Sequence, residues 1–141
     1  MPAKVAAVVR KETNTSNSVS GVIEKLAALL QADKDVVDAY LCTNHVHQIY
    51  RIDGEGNHFC GYRNMQMLLS GLSSTTSLPT FSGMLMAGRP TILELQEAIE
   101  AAWEAGINAH GQVMTGGIAG TRKHVGASEV NRIVTATFGR R

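Results

Sequence analysis

The chain has 141 residues, 44% of them hydrophobic and 18% charged, which suits one domain with a buried core. Thirteen basic residues against twelve acidic ones argue against a nucleic-acid binder held by phosphate contacts, which carries a basic excess. The longest N-terminal apolar run, Val5–Val9, is too short for a signal-peptide core or a membrane span.

The two cysteines, Cys42 and Cys60, make no disulfide framework. Reduced thiols, and hence the cytoplasm or nucleus, are the natural expectation.

Residues 1–17 end in the polar run Lys11–Asn17 and read as a flexible lead-in; residues 18–141 read as the folded domain. From Ser20, a candidate cap, Val22, Ile23, Leu26, Leu29 and Leu30 recur at helical spacing, and Asp33 to Asp35 closes the helix. Val36 to Cys42 and His45 to Ile52 predict two short strands, with Cys42 in the core. The second strand ends at the turn Asp53-Gly-Glu-Gly56.

A helix is expected over Tyr62 to Leu72, with Met65, Leu68, Leu69 and Leu72 on its apolar face, so Cys60 falls at or just before a helix start. Met67 is read with Met65 as packing. Ser73 to Gly88 predicts a loop, with one weak strand near Thr80 to Met86. The Thr91-x-x-Glu94 capping box then opens the clearest helix, with Ile92, Leu95, Ile99 and Ala102/Trp103 buried and Gly106 as the stop. Ile107 to Gly126 reads mostly as loop. Ser128 caps a last helix in which Val130, Ile133, Val134 and Thr137 share a face. Helices with few strands make the class α/β or α+β.

Position makes Cys60 a candidate nucleophile. The first turn of a helix has unpaired backbone N–H groups and partial positive charge, which stabilise a thiolate there. The same donors suit an oxyanion, so the Cys60 N–H is a candidate oxyanion donor. Gly54 and Gly56 allow the preceding loop to turn sharply, and Gly61 leaves the sulfur uncrowded. The alternative is a buried structural cysteine.

Three collinear blocks bear on that choice. Gly56-x-x-Phe-Cys-Gly-Tyr-Arg-Asn-Met-Gln-Met-Leu68 resembles the nucleophile motif of the ubiquitin-fold-modifier-specific protease family. The branch in question holds zinc-finger-bearing ubiquitin peptidases and their fungal relatives. Pro90-Thr-Ile-x-x-Leu-Gln-x-x-Ile-Glu-x-Ala-Trp-x-x-Gly-Ile-Asn108 and Thr115-Gly-Gly-Ile-x-Gly-Thr-Arg-Lys-x-Val-Gly-Ala-Ser-Glu-Val130 resemble the segments that follow, so the likeness runs from about Val36 to Phe138.

The resemblance implies a papain-like cysteine protease fold, of which this chain is expected to hold the helix-rich half. It implies a thiol peptidase that removes ubiquitin or a ubiquitin-like modifier from proteins, Cys60 attacking the carbonyl of the modifier's C-terminal glycine. It also implies a modifier contact at Glu129, where relatives present an acid to arginines near the modifier's tail; a second such position falls on Asn108, and this departure removes a charge. Glu129 has an equally good reading as an acid favouring a helix N-terminus.

A thiol protease needs an imidazole oriented by Asp or Asn. The family's His-containing strand and Asp-Pro segment do not occur here, so the chain is expected to stop before them and to be inactive alone. His124 sits where relatives carry an aromatic and reads as packing; His110 reads as an exposed loop residue. Neither is a catalytic candidate. His45 and His47 share a strand face as half of a zinc site, but no further ligands stand at a recognisable spacing, so no metal or cofactor is expected. Gly116-Gly-Ile-Ala-Gly120 lacks the Lys-Ser/Thr pair of a phosphate loop.

The alternative function is a non-catalytic module that binds a modifier or another protein through its helices. The expected partner is ubiquitin or a ubiquitin-like modifier, with no nucleic acid and no membrane. Apolar helix faces left uncovered are expected to promote self-association.

Overall fold

The computed structural model describes residues 1–12, 16–75 and 89–131. In chain order the elements are α1 (Ala3–Arg10), β1 (Ser18–Val19), α2 (Val22–Ala32), β2 (Gln48–Ile49), α3 (Cys60–Thr75), α4 (Ile92–Glu104) and α5 (Ala109–Thr115). Residues 127–131 form a further helical turn. The strands pair antiparallel, Ser18 against Ile49 and Val19 against Gln48. This helix-rich architecture with a two-stranded sheet is consistent with the expected helix-rich half of an α/β papain-like domain.

The core lies between α3 and α4. Tyr62, Met65 and Leu69 recur at three- and four-residue steps on α3 and meet Ile92, Leu95, Ile99 and Trp103 of α4, with Val9, Phe59 and Ile118 closing the ends. The α3 face is therefore rotated from the expected one: Tyr62 is fully buried, whereas Leu68 is exposed. The α4 reading holds in detail. Thr91 accepts from the Glu94 amide and the Glu94 carboxylate accepts from the Thr91 amide. At the far end the Ile107 amide donates to Ala102 and the Gly106 amide to Trp103, at 2.8 and 2.9 Å, the paired bonds of a Schellman stop.

Several other expectations are corrected. The N-terminal lead-in contains α1, and Val9, Glu12 and Asn17 are buried. The Asn17 side chain donates to the Tyr50 carbonyl at 2.7 Å, while the Tyr50 amide donates to the Asn17 carbonyl, so this polar residue extends the sheet contact. Residues 36–42 form no strand and Cys42 is exposed, because a strand needs a hydrogen-bonded neighbour and only Gln48–Ile49 of the two expected strands finds one.

Helix α2 begins after Gly21 (φ 72°), without a Ser20 cap, and buries no residue fully. Residues 109–115, expected as loop, form α5, which Asn108 (φ 57°) and Gly116 (φ 66°) bracket in left-handed conformations. Ser128 lies inside its helical turn and donates to Glu129 rather than capping. The expected weak strand near Thr80 and the positions Ile133, Val134 and Thr137 lie outside the described residues.

Candidate active site

Cys60 is the first residue of α3 and its side chain is exposed. The Arg63 amide donates to the Phe59 carbonyl at 3.0 Å, the first bond of the helix. The amides of Cys60, Gly61 and Tyr62 therefore precede any intrahelical acceptor and point out of the helix end. The expected oxyanion donor, the Cys60 N–H, is among them.

The chain reaches Cys60 through residues 53–59, where Gly54 (φ 89°) and Gly56 (φ 83°) adopt a backbone that other residues rarely take. Phe59 then turns into the core, its ring 6.0 Å from that of Tyr62 and tilted 56°. Gly61 has a different role from the one expected. A Cβ there would stand 2.5 Å from the Val125 carbonyl oxygen, so its absence lets residues 123–126 lie against the start of α3. The Tyr62 hydroxyl fixes the same segment, donating to the Lys123 carbonyl at 3.2 Å. Burial pushes the Tyr62 phenol up to about 12, against a smaller opposing effect of its Gln96 hydrogen bond.

A cleft of about 390 Å³ opens beside Cys60. One wall is the α3 face Cys60, Arg63, Asn64 and Met67; the other is Gln48, Ile49, Arg51 and Glu55 to Asn57. Within that second wall Arg51 donates to the Asn57 side chain. Beneath the cleft lies a polar cluster that sequence reasoning missed. Arg63, 4% exposed, pairs with both Glu12 and Glu55, each 1% exposed. Its Nη1 also donates to Gln66 Oε1 at 2.9 Å, and Gln66 Nε2 donates to Glu12 at 2.6 Å and to the Pro90 carbonyl at 2.6 Å. The other Glu12 oxygen accepts from the Ile92 amide at 2.9 Å. No described buried side-chain polar atom lacks a partner.

All five histidines lie in described residues, and none is hydrogen-bonded to the Cys60 sulfur. His124, expected as packing, is exposed; its Nε2 lies 3.4 Å from His58 Nδ1, with ring centroids 5.2 Å apart. His110 is exposed on α5. His45 and His47 line a separate depression between α2 and Ser70. Among the described residues no group of three or more His, Cys, Asp or Glu stands close enough to hold a metal ion. No described helix is long and apolar enough to cross a membrane.

Asn108 and Glu129 are brought together: Asn108 Nδ2 donates to Glu129 Oε1 at 3.3 Å. The same carboxylate accepts from the Gly126 amide at 2.9 Å and from the Ser128 hydroxyl at 3.0 Å. Glu129 thus occupies a helix N-terminus, as the structural reading of that acid expects. Nearby, the Ile118 and Ala119 amides hold the Glu100 carboxylate below its ordinary value. Lys123 Nζ bonds the Thr115 and Gly117 carbonyls at the C-terminal end of α5.

Residues 35–140 match Peptidase family C78. The chain belongs to that family. It is 36% identical over 122 residues to the zinc finger-containing ubiquitin peptidase 1 of Homo sapiens, and 35% identical over 122 residues to that of Mus musculus. Each alignment takes in 83% of this chain and 20% of the relative. The ubiquitin carboxyl-terminal hydrolase mug105 of Schizosaccharomyces pombe is 38% identical over 80 residues, which is 56% of this chain and 32% of that one. The chain thus spans about a fifth of the length of the animal relatives. The matched C78 stretch begins after α2, so α1 and Glu12 lie ahead of it.

Proposed function

We propose that this C78 chain carries the nucleophile of a thiol peptidase acting on ubiquitin or a ubiquitin-like modifier, with Cys60 as the attacking group. The observation that carries the reading is the exposed Cys60 thiol on the first residue of a 16-residue helix, beside an open cleft, in a chain of this peptidase family.

The Cys60 sulfur attacks the carbonyl carbon of the modifier's C-terminal residue, and the Cys60 amide donates to the oxygen that gains charge. The C–N bond breaks, the amine leaves with a proton, and the resulting thioester is hydrolysed by water, returning the thiol. The proton transfers need an acid-base pair, and no imidazole bonded to Cys60 supplies one. Turnover by this chain alone is therefore slow, whereas single covalent capture by an electrophile needs only the thiol and the groove. Glu129 and Asn108 form the second part of the proposal, as a polar pair that meets the modifier's tail.

A Cys60 sulfur with no histidine hydrogen-bonded to it also supports a second reading, a module that binds a modifier without cleaving it. Ubiquitin ending in a propargylamide separates the two. Covalent capture by the wild type and none by Cys60→Ala, with the variant still binding unmodified ubiquitin, supports the peptidase reading. Binding without capture supports the module, and neither binding nor capture overturns both.

A further inference from the structure

The nucleophile helix is fastened from outside the family-matched stretch. Glu12 follows α1, 51 positions before Arg63 in sequence, and yet reaches the interior beneath Cys60. Arg63 stands one turn after Cys60 on the same face of α3 and lines the same cleft. Its guanidinium has two sides in use. Nε and Nη2 hold the Glu55 carboxylate, on the turn that forms the opposite wall; Nη1 holds Glu12 and Gln66.

Two carboxylates share one guanidinium, and the surplus negative charge meets the first amide of α4, the Ile92 N–H, at 2.9 Å from Glu12. A fork of fixed planar geometry cannot turn toward one partner without losing the other. Whatever fixes Nη1 therefore also fixes the side of the fork that faces Glu55. That line of contacts, from Glu12 through Arg63 to Glu55, joins the N-terminal segment to the turn before Cys60.

We infer that Glu12 is a positioning residue for Cys60, acting through Arg63 and Glu55 to hold the wall opposite the thiol at the spacing that admits an extended modifier tail. The role in tail admission rests on the proposed peptidase reading; the control of the turn by Glu12 does not. Glu12 touches neither the thiol nor the cleft. Its substitution therefore acts on geometry, and the small-molecule reactivity of an exposed thiol is little affected.

The test uses the full chain as wild type, Glu12→Gln and Glu12→Asp, at a temperature where circular dichroism shows all three folded. Three rates are read: capture by ubiquitin propargylamide, alkylation of Cys60 by iodoacetamide, and hydrogen exchange of the Glu55 amide, which donates to the Ile52 carbonyl at 3.2 Å in the turn. In Glu12→Gln we expect capture to slow by about tenfold or more, because small misplacements of a reacting pair are costly. Alkylation should change by less than about threefold, since it needs only an exposed thiol. Exchange at Glu55 should quicken by about tenfold as the turn opens locally. Glu12→Asp, which keeps the charge, should recover part of both losses.

Unchanged exchange at Glu55 in Glu12→Gln overturns the inference, whether or not the wild type is captured. Capture and alkylation falling together also overturn it, because a loosened fold would do the same. A wild type that is alkylated but never captured overturns the peptidase reading and the role in tail admission; exchange at Glu55 still decides whether Glu12 controls the turn.

Discussion

The two exposed cysteines sit in regions built to different standards. Around Cys60, helix α3 turns Tyr62, Met65 and Leu69 into the core, and the buried Arg63 and Gln66 have every polar atom partnered. Around Cys42, helix α2 buries no residue fully, Leu29 is 69% exposed, and Val37 and Tyr40 are more than 90% exposed. Both regions carry apolar residues at helical spacing, so spacing alone does not decide burial. What differs is a second surface to pack on. Helix α3 shares one core cluster with α4, Val9 and Ile118, in which no residue of α2 takes part. A thiol aimed by the first region has a fixed direction; a thiol in the second is merely accessible.

The largest break in this contrast should come from Arg63→Met. The change leaves Glu12 and Glu55 buried without their cation, and removing one partner of a buried ion pair costs about 3–5 kcal/mol. Urea unfolding should show a loss of that size; a loss below about 1 kcal/mol, the scale of an exposed pair, would mean that the cluster is wetter than it looks.

A matched pair of truncations comes next. Leu95→Ala, in the core beside Ile99, should cost about 2–5 kcal/mol. Leu29→Ala on α2 should stay within about 0.5 kcal/mol, because little is buried there. Similar losses at the two sites, read as urea midpoints, would erase the distinction between the regions.

The smallest effect is in pH. Glu100 titrates below its ordinary 4.5 in the folded chain because the Ile118 and Ala119 amides stabilise its anion. The folded state thus favours the charged form, and the stability this adds is full above about pH 4.5 and lost as pH falls through the lower folded value. Tyr62 moves the other way. Its phenol is raised by burial from 10.0 to about 12, so the folded state favours the neutral form, and stability is lost as pH rises from 10 toward 12. Glu100→Gln should flatten the acid limb of the urea midpoint against pH, and Tyr62→Phe the alkaline limb; limbs unchanged by these substitutions would count against the assignments.

Much of the site is legible in the sequence because its determinants are local. The start of α3 at Cys60, the capping box at Thr91 and the stop at Gly106 each depend on a few neighbouring residues, and all stand as read. What escapes is non-local. Glu12 looks like the polar end of a tail, and nothing within ten residues of it announces an arginine 51 positions away. Residues 36–42 have strand composition, but composition cannot supply a neighbouring strand. Helix α5 was hidden by its glycines: Gly111 is buried, and a Cβ there would crowd the Trp103 indole at 3.0 Å, so it marks a close approach rather than a loop. Asn108 and Glu129, 21 residues apart, are both expected at the modifier's tail, and only the fold shows them bonded to each other.

The central claim, that the region around Cys60 aims its thiol at a modifier tail while the region around Cys42 does not, has a direct measurement. Wild-type chain is treated with substoichiometric ubiquitin propargylamide, digested, and the adduct located by mass spectrometry, with iodoacetamide as the control that reports accessibility alone. The account predicts iodoacetamide labelling at both cysteines and a ubiquitin remnant on Cys60 only. A remnant shared with Cys42, or none on Cys60 while iodoacetamide still labels it, would contradict it.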